Sequence, residues 1–129
     1  MRIENWESKL FAYLETVGPF EWAKNDCCVF VSNAIVLMRG DDVLKDYRGY
    51  KTKLGAQKIL KKVGGIEGLW TKILGESISH KLLKRGDVVF YSNKGDPLVG
   101  LCVGSRFVAL TESGIVYLPM NLAEKGWKV

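Results

Sequence analysis

The chain has 129 residues, of which 47% are hydrophobic and 26% are charged. This length and composition are typical of one globular domain and exclude a disordered chain. No apolar stretch approaches the roughly 18 residues needed to cross a membrane, so we expect no membrane insertion. The first residues, 1–7, contain acids and no apolar core of a secretory signal, which predicts synthesis and folding in a cytoplasm.

The formal charge of +5 is concentrated in one segment. Lys51 to Arg85 holds nine basic residues, whereas its only acids are Glu67 and Glu76. Runs of this kind usually form solvated helix faces. A small basic protein that binds nucleic acid or a host factor is an alternative. Because no aromatic residues are interleaved with the lysines in a nucleic-acid motif, we do not expect nucleic acid as a partner.

The cysteines do not form a disulfide or zinc pattern. Cys27 and Cys28 are neighbours, and Cys102 is distant in sequence. An odd number of cysteines without a secretory signal indicates reduced thiols. Zinc sites usually combine Cys-x-x-Cys pairs or several histidines, whereas His80 is the single histidine. We therefore expect no metal and no cofactor.

The first part of the chain reads as helices. Apolar residues between Ile3 and Leu14 recur at steps of three and four, which predicts an amphipathic helix. An almost wholly apolar stretch then runs to Met38, after a capping residue at 25 or 26 and before a stop at Gly40, and predicts a buried central helix. Thr52 is expected to cap a third helix that ends at 64–65, and a fourth surrounds Trp70.

The second part reads as strands at residues 87–91, 98–103, 107–110 and 115–118. Turns are predicted at 93–96, 104–105 and 113–114, and the Arg-Gly-Asp sequence at 85–87 is interpreted as a turn into the first strand. Helices followed by an antiparallel meander predict an α+β fold. The whole chain, 1–129, is expected to be a single domain, helical over 1–80 and a β-meander over 85–120.

The cysteine pair is the candidate reactive site. Cys27 follows the predicted cap at the start of the buried helix, where unpaired amide groups stabilise a thiolate. Cys28 is the second candidate. Placement alone favours the simpler interpretation that both are small core residues, because free cysteine is among the most buried residue types. Asp26 is interpreted as a helix cap and not as a catalytic acid.

Three segments together resemble a known family. They are Asn25-Asp26-Cys27 at the start of the hydrophobic helix, residues 84–91 with Arg-Gly-Asp before a strand, and residues 98–104 with Val-Gly near the start of a strand. This order is similar to the core pattern of NlpC-type papain-like cysteine endopeptidases. The resemblance implies helices packed on a small antiparallel sheet or half-barrel, with Cys27 at the position of the nucleophile.

A closer likeness covers essentially the whole chain. The Phe-x-Trp segment from Phe20 to Cys27, the Leu118-Pro119 pair and the late Trp127 resemble a group of short bacteriophage and prophage proteins associated with tails. This resemblance implies a virion component whose partners are other phage tail proteins. Such a protein would be found in the host cytoplasm during assembly and then in the tail.

The resemblance fails at the histidine. Aligning Val99-Gly100 with the family's strand puts Leu98 where the catalytic histidine stands. Leucine cannot accept a proton from a thiol, and His80 lies before the first predicted strand. Without a base, attack on an amide loses about 10²- to 10⁴-fold in rate. If the fold analogy holds, Leu98, Gly100 and Cys102 share one strand face, and that face meets the start of the Cys27 helix as an apolar seam.

Three functions remain open at this stage. The first is a phage tail-associated structural or assembly protein with a degenerate cysteine-peptidase-like fold, which is not an enzyme. The second is a cysteine hydrolase that acts on cell-wall peptide, amide or thioester bonds, with Cys27 as the nucleophile and an unrecognised base. The third is the small basic binder of nucleic acid or of a host factor.

Overall fold

The computed structural model describes residues 2–129, and it has the predicted α+β class. Four α-helices and six strands are present in these residues. The helices are α1 (Trp6–Glu15), α2 (Cys27–Arg39), α3 (Lys53–Val63) and α4 (Gly65–Leu74). The strands are β1 (Ile78–Ser79), β2 (Val88–Asn93), β3 (Asp96–Cys102), β4 (Arg106–Thr111), β5 (Gly114–Pro119) and β6 (Lys125–Trp127). Short 3-10 turns lie at Lys45–Tyr47, His80–Leu82 and Met120–Leu122.

Helix α2 is the buried central helix that the sequence predicts. Val31, Ala34 and Ile35 are fully buried within it. The helix ends at Gly40, whose φ of 89° is left-handed and therefore favours glycine. With 13 residues it is the longest helix of the described chain. No helix within residues 2–129 has both the length and the apolar character needed to span a bilayer.

Helices α3 and α4 also follow their sequence signals. Thr52 caps α3 by accepting a hydrogen bond from the backbone N–H of Gly55 at 3.1 Å. Gly64 ends α3 with a left-handed φ of 86°, and α4 begins at the next residue. Trp70 is the fully buried anchor of α4. Local capping and apolar spacing therefore account for these helices.

The sheet is antiparallel, in the order β1-β6-β2-β3-β4-β5. Strands β2 and β3 pair from Val88 with Leu101 to Asn93 with Asp96. Their connection is only Lys94 and Gly95, both with positive φ, as two-residue hairpins of this twist require. The four hairpin strands are longer than the sequence predicts, and the turn between β2 and β3 is shorter.

Strands β1 and β6 are not among the predicted strands. β6 pairs with β2 on one side and with β1 on the other. Gly126 lies at the middle of β6, where an added Cβ would come within 2.1 Å of the Val88 carbonyl oxygen. The prediction of a helical part over 1–80 and strands only over 85–120 is therefore wrong at one edge of the sheet, where β1 and β6 lie next to each other. Pairing between residues distant in sequence forms these short strands, so local propensity cannot reveal them.

The two faces of the sheet carry separate apolar clusters. Val99 and Leu101 on β3 belong to the cluster that contains α2, whereas Cys102 belongs to the second cluster, on the opposite face. The predicted seam of Leu98, Gly100 and Cys102 against α2 is therefore wrong for Cys102 and for Gly100, whose added Cβ would meet side chains of the second cluster. The side chains do alternate, but α2 covers the other face of the strand. Leu98 still contacts both clusters.

A buried carboxylate joins the two ends of the chain to the start of β2. Asp87 is 2% exposed. It accepts hydrogen bonds from the guanidinium of Arg2 at 2.8 Å, from the backbone N–H of Lys84 at 2.8 Å and from the backbone N–H of Val129 at 3.0 Å. The Arg-Gly-Asp sequence at 85–87 is thus a turn held by its own aspartate, as interpreted from the sequence.

Candidate functional site

Cys27 is the first residue of α2, and Asp26 caps the helix before it. One carboxylate oxygen of Asp26 accepts a hydrogen bond from the backbone N–H of Val29 at 2.9 Å. The predicted role of Asp26 as a helix cap is therefore confirmed. The positive end of the helix dipole lies at Cys27, where it favours negative charge.

Asp26 is not a free proton acceptor for the thiol. Its second oxygen accepts hydrogen bonds from the backbone N–H of Ala23 at 3.0 Å and from the hydroxyl of Tyr50. The residue is 2% exposed. Because three donors already use its two oxygens, the carboxylate acts as a structural anchor below the start of α2.

The surroundings of the Cys28 thiol change its pKa. A hydrogen bond with Cys27 raises the pKa of Cys28 well above its ordinary value, and burial and the charges of Cys27 and Asp26 act in the same direction. The indole of Trp70 opposes this shift of the Cys28 pKa. Its Nε1 is buried and has no hydrogen-bond partner in the described chain. The raised pKa of Cys28 therefore keeps its thiol protonated at neutral pH.

The first turn of α2 also leaves backbone donors free. Within residues 2–129, the N–H groups of Cys27 and Cys28 meet no protein acceptor, whereas the N–H of Val29 is capped. Unpaired amides at a helix start are suitable donors to an oxyanion. The site thus combines a thiol with donors that can stabilise a tetrahedral intermediate.

Two cavities meet at Cys27. The first has a volume of about 330 Å³, and most of its wall is aliphatic or aromatic: Trp22, Leu44, Tyr47, Leu60, Ile66 and Leu69 contribute. The second has a volume of about 620 Å³ and includes more polar groups: Ser92, Asn93, Thr111 and Ser113 contribute. Lys53, Asp96 and Glu112 lie on the walls of both cavities. Volumes of this size are typical of small-ligand sites.

Leu98 lies on the wall of both cavities together with Cys27. The structure therefore brings together Cys27, Cys28 and Leu98, the three site residues named from the sequence, around the smaller cavity. His80 lines neither cavity. It follows β1, an edge strand that β6 and β2 separate from β3. As the chain has one histidine, no imidazole lines the cavity walls.

The sequence match that decides the family covers the full length of the chain. Residues 1–129 match the family model described as "Domain of unknown function (DUF6950)". The chain belongs to the DUF6950 family. None of the curated proteins matches the sequence. The family description names no function, so we infer the function of this DUF6950 chain from the geometry around Cys27.

Sequence reasoning did not identify Tyr50 and Tyr91 as residues of this DUF6950 site. Tyr50 donates to Asp26, and Tyr91 lines the larger cavity with Cys27. Tyr50 precedes α3 in a turn-rich segment, and Tyr91 lies within β2. No local motif marks either residue, because both reach Cys27 only through packing of distant segments.

We expect the DUF6950 chain to lose stability in alkaline solution because its buried tyrosines resist ionisation. Burial raises the pKa of Tyr13 to about 12, and burial with the nearby Cys27 charge raises the pKa of Tyr91 to about 12. Burial and the hydrogen bond to Asp26 also raise the pKa of Tyr50. An unfolded chain releases these protons near about pH 10. The free energy of unfolding should therefore fall as the pH rises from about 10 to about 12.

Urea unfolding measured across this pH range tests the expectation. Tyr91→Phe should make the decline shallower, since one buried titrating group is removed. Tyr117→Phe is the matched control because Tyr117 is 47% exposed, and it should leave the decline unchanged. Equal slopes in wild type and Tyr91→Phe would contradict the assigned role of Tyr91.

The described residues offer no other obvious reactive or binding centre. Within residues 2–129, no group of three or more His, Cys, Asp or Glu side chains is placed to hold a metal ion. Lys58, Lys61 and Lys62 of α3 are exposed, and none of them takes part in the ion pairs of the described chain. Their charge faces solvent. The expectation about nucleic acid stays a prediction.

Proposed function

We propose that the protein is a bacteriophage tail-associated structural or assembly component, built on a degenerate papain-like, NlpC-type scaffold. The observation that supports this proposal is the pairing of Leu98 with Cys27 on the same cavity walls, with His80 elsewhere. A thiol without a neighbouring base is a poor peptidase nucleophile. The scaffold then serves docking in the tail, with other tail proteins as partners, and its thiol is not needed for peptide cleavage.

The arrangement of elements supports the papain-like part of the proposal. A cysteine begins a buried helix, and that helix packs on the central strands β3 and β4 of an antiparallel sheet. An Arg-Gly-Asp turn leads into β2, and Val99-Gly100 lies in β3. These are the segments that carry the resemblance in the sequence, and they occur here in the same order.

Purified phage particles provide the test. We expect mass spectrometry to detect the chain in tails or in tail assembly intermediates. Complementation of a deletion with Cys27→Ser should restore normal particles, because docking does not use the thiol. Absence of the chain from both particles and intermediates would overturn the tail assignment. Loss of infectivity with well-folded Cys27→Ser would overturn the non-catalytic assignment.

A second candidate is a cysteine hydrolase that cleaves amide or thioester bonds. It is favoured by the free N–H groups of Cys27 and Cys28 beside a thiol on the wall of two cavities. This candidate requires a base other than imidazole; Asp96 and Glu112 on the shared walls are the carboxylates to test.

Thiol labelling with iodoacetamide separates the two candidates. A hydrolase should show selective labelling of Cys27, whereas Cys28 and Cys102 label slowly, since burial raises the pKa of the Cys102 thiol and the pKa of Cys28 is raised as well. Turnover of an ester that is lost in Cys27→Ser and in Glu112→Gln would establish the hydrolase. Slow, equal labelling of all thiols without turnover would exclude it.

A further inference from the structure

Without an imidazole base, the Cys27 thiol is poorly suited to amide cleavage but can still react with a thioester. Cleavage of an amide needs a base to activate the nucleophile and an acid to protonate the leaving amine. In exchange between a thiol and a thioester, the leaving group departs as a thiolate with a pKa near about 8.5. It needs no proton to leave. The chemistry best suited to Cys27 is therefore acyl exchange between two sulfur atoms.

The two cavities offer different surroundings on either side of Cys27. The smaller cavity has a mainly aliphatic and aromatic wall, to which Ala56, Ile66 and Leu69 contribute. The larger cavity is also lined by apolar residues such as Phe20 and Leu118, and it adds the hydroxyl and amide side chains of Ser92 and Asn93. An acyl thioester has the same division, because an apolar chain lies on one side of the reacting carbonyl and a polar amide-containing arm lies on the other.

We propose that Cys27 accepts the acyl group of a long-chain acyl thioester of a pantetheine-type thiol, with the acyl chain in the smaller cavity and the pantetheine arm in the larger one. The Cys27 sulfur attacks the thioester carbonyl and forms a new carbon–sulfur bond. The bond from that carbon to the pantetheine sulfur then breaks. Its electron pair leaves on the pantetheine sulfur, which takes up the proton released by Cys27. No oxidant, reductant or metal is required.

The surroundings of Cys27 stabilise the intermediate of this exchange. The carbonyl oxygen becomes negatively charged beside the unpaired N–H groups of Cys27 and Cys28. The neighbouring Cys27 and burial raise the pKa of the Cys28 thiol, so Cys28 stays protonated beside the reacting sulfur. The Asp26 carboxylate does not act as a base in this exchange, because its oxygens already accept hydrogen bonds from three other groups.

The absence of imidazole also determines the fate of the product. No histidine lines the cavities to activate a water molecule for attack on the new thioester. With no imidazole to activate water, we expect one acyl group per chain to accumulate on Cys27, whereas repeated turnover would support the hydrolase that uses Asp96 or Glu112 as its base. The inference goes beyond a role in the phage tail and does not depend on it, since it concerns only the thiol and the two cavities.

Intact-mass measurement of the full chain incubated with palmitoyl-coenzyme A or acetyl-coenzyme A tests the proposal. We expect a single palmitoyl adduct on Cys27, released by neutral hydroxylamine and absent from Cys27→Ser. Because the apolar cavity favours the longer acyl chain, palmitoyl transfer should be at least on the order of tenfold faster than acetyl transfer. Cys102→Ser is the matched thiol control and should behave as wild type. Adducts spread over all cysteines, equal rates for both donors, or the same rate in urea-unfolded protein would overturn the proposal.

A cavity-filling variant provides a second readout. Ala56 is 7% exposed and lines the smaller cavity. Ala56→Leu should slow palmitoyl transfer by about tenfold or more, and this loss should be larger than any loss in acetyl transfer. Equal palmitoyl rates in folded Ala56→Leu and wild type would show that the cavity does not hold the chain. If the variant does not fold, the chain-length dependence of the wild type decides alone. Neither result affects the tail assignment, which is tested by particle composition.

Discussion

Replacing Leu98 with histidine should convert Cys27 into a catalytic nucleophile. Leu98 lines both cavities together with Cys27, so we expect an imidazole at this position to come within reach of the thiol. A positioned general base contributes about 10²- to 10⁴-fold to a rate. We therefore expect Leu98→His to hydrolyse an activated ester such as p-nitrophenyl acetate at least about 10²-fold faster than wild type, with repeated turnover.

The matched control is Leu98→Gln, which places a polar side chain at the same position without an effective base. It should remain as slow as wild type. Leu98→His combined with Cys27→Ser should also be inactive, because the gain requires the thiol. A folded Leu98→His protein with no gain in rate would show that residue 98 is not within reach of the thiol. Leu98 would then not stand at the position of a lost catalytic histidine.

Removing the Asp87 carboxylate should have the largest effect on stability. Asp87→Ala leaves the guanidinium of Arg2 without its partner, and the Arg2 side chain is only 19% exposed. It also removes the acceptor for the backbone N–H groups of Lys84 and Val129. Loss of one partner of a buried ion pair costs about 3–5 kcal/mol. Urea unfolding should show a decrease of this size in the free energy of unfolding.

Glu7→Ala is the control for this change because it breaks an ion pair of similar length at the surface. Glu7 and Arg85 lie 2.9 Å apart, with side chains that are about half exposed. Exposed pairs contribute less than about 1 kcal/mol, so the control should unfold almost as the wild type does. A similar small loss for Asp87→Ala would mean that the carboxylate does not hold the chain ends to β2.

Sequence reasoning located the helices with little error because their signals are local. The side chain of Asp26 caps α2, and the left-handed Gly40 ends it. The hairpin strands were also found, although β3 begins at Asp96, before the predicted residue 98. Each of these signals depends on a few residues that are adjacent along the chain.

Within the candidate site, sequence reasoning found the cysteines and Leu98 but not their surroundings. The order of motifs was enough to pair Cys27 with Leu98. The sequence does not show that the Tyr50 hydroxyl donates a hydrogen bond to Asp26, because that contact joins the residue before α2 to the segment before α3. Sequence reasoning also assigned Cys102 to the wrong sheet face, since alternation gives two faces but does not say which one α2 covers.

The sequence by itself determined the α+β class, the cap and position of the Cys27 helix, and the scarcity of imidazole, because composition and short-range spacing are sufficient for each. Only the tertiary structure decided that β6 lies between β1 and β2, that Leu98 and not His80 shares the cavity walls with Cys27, and that those walls differ in polarity. These features arise from contacts between residues far apart along the chain, and such contacts form only when the apolar faces of helices and sheet pack together.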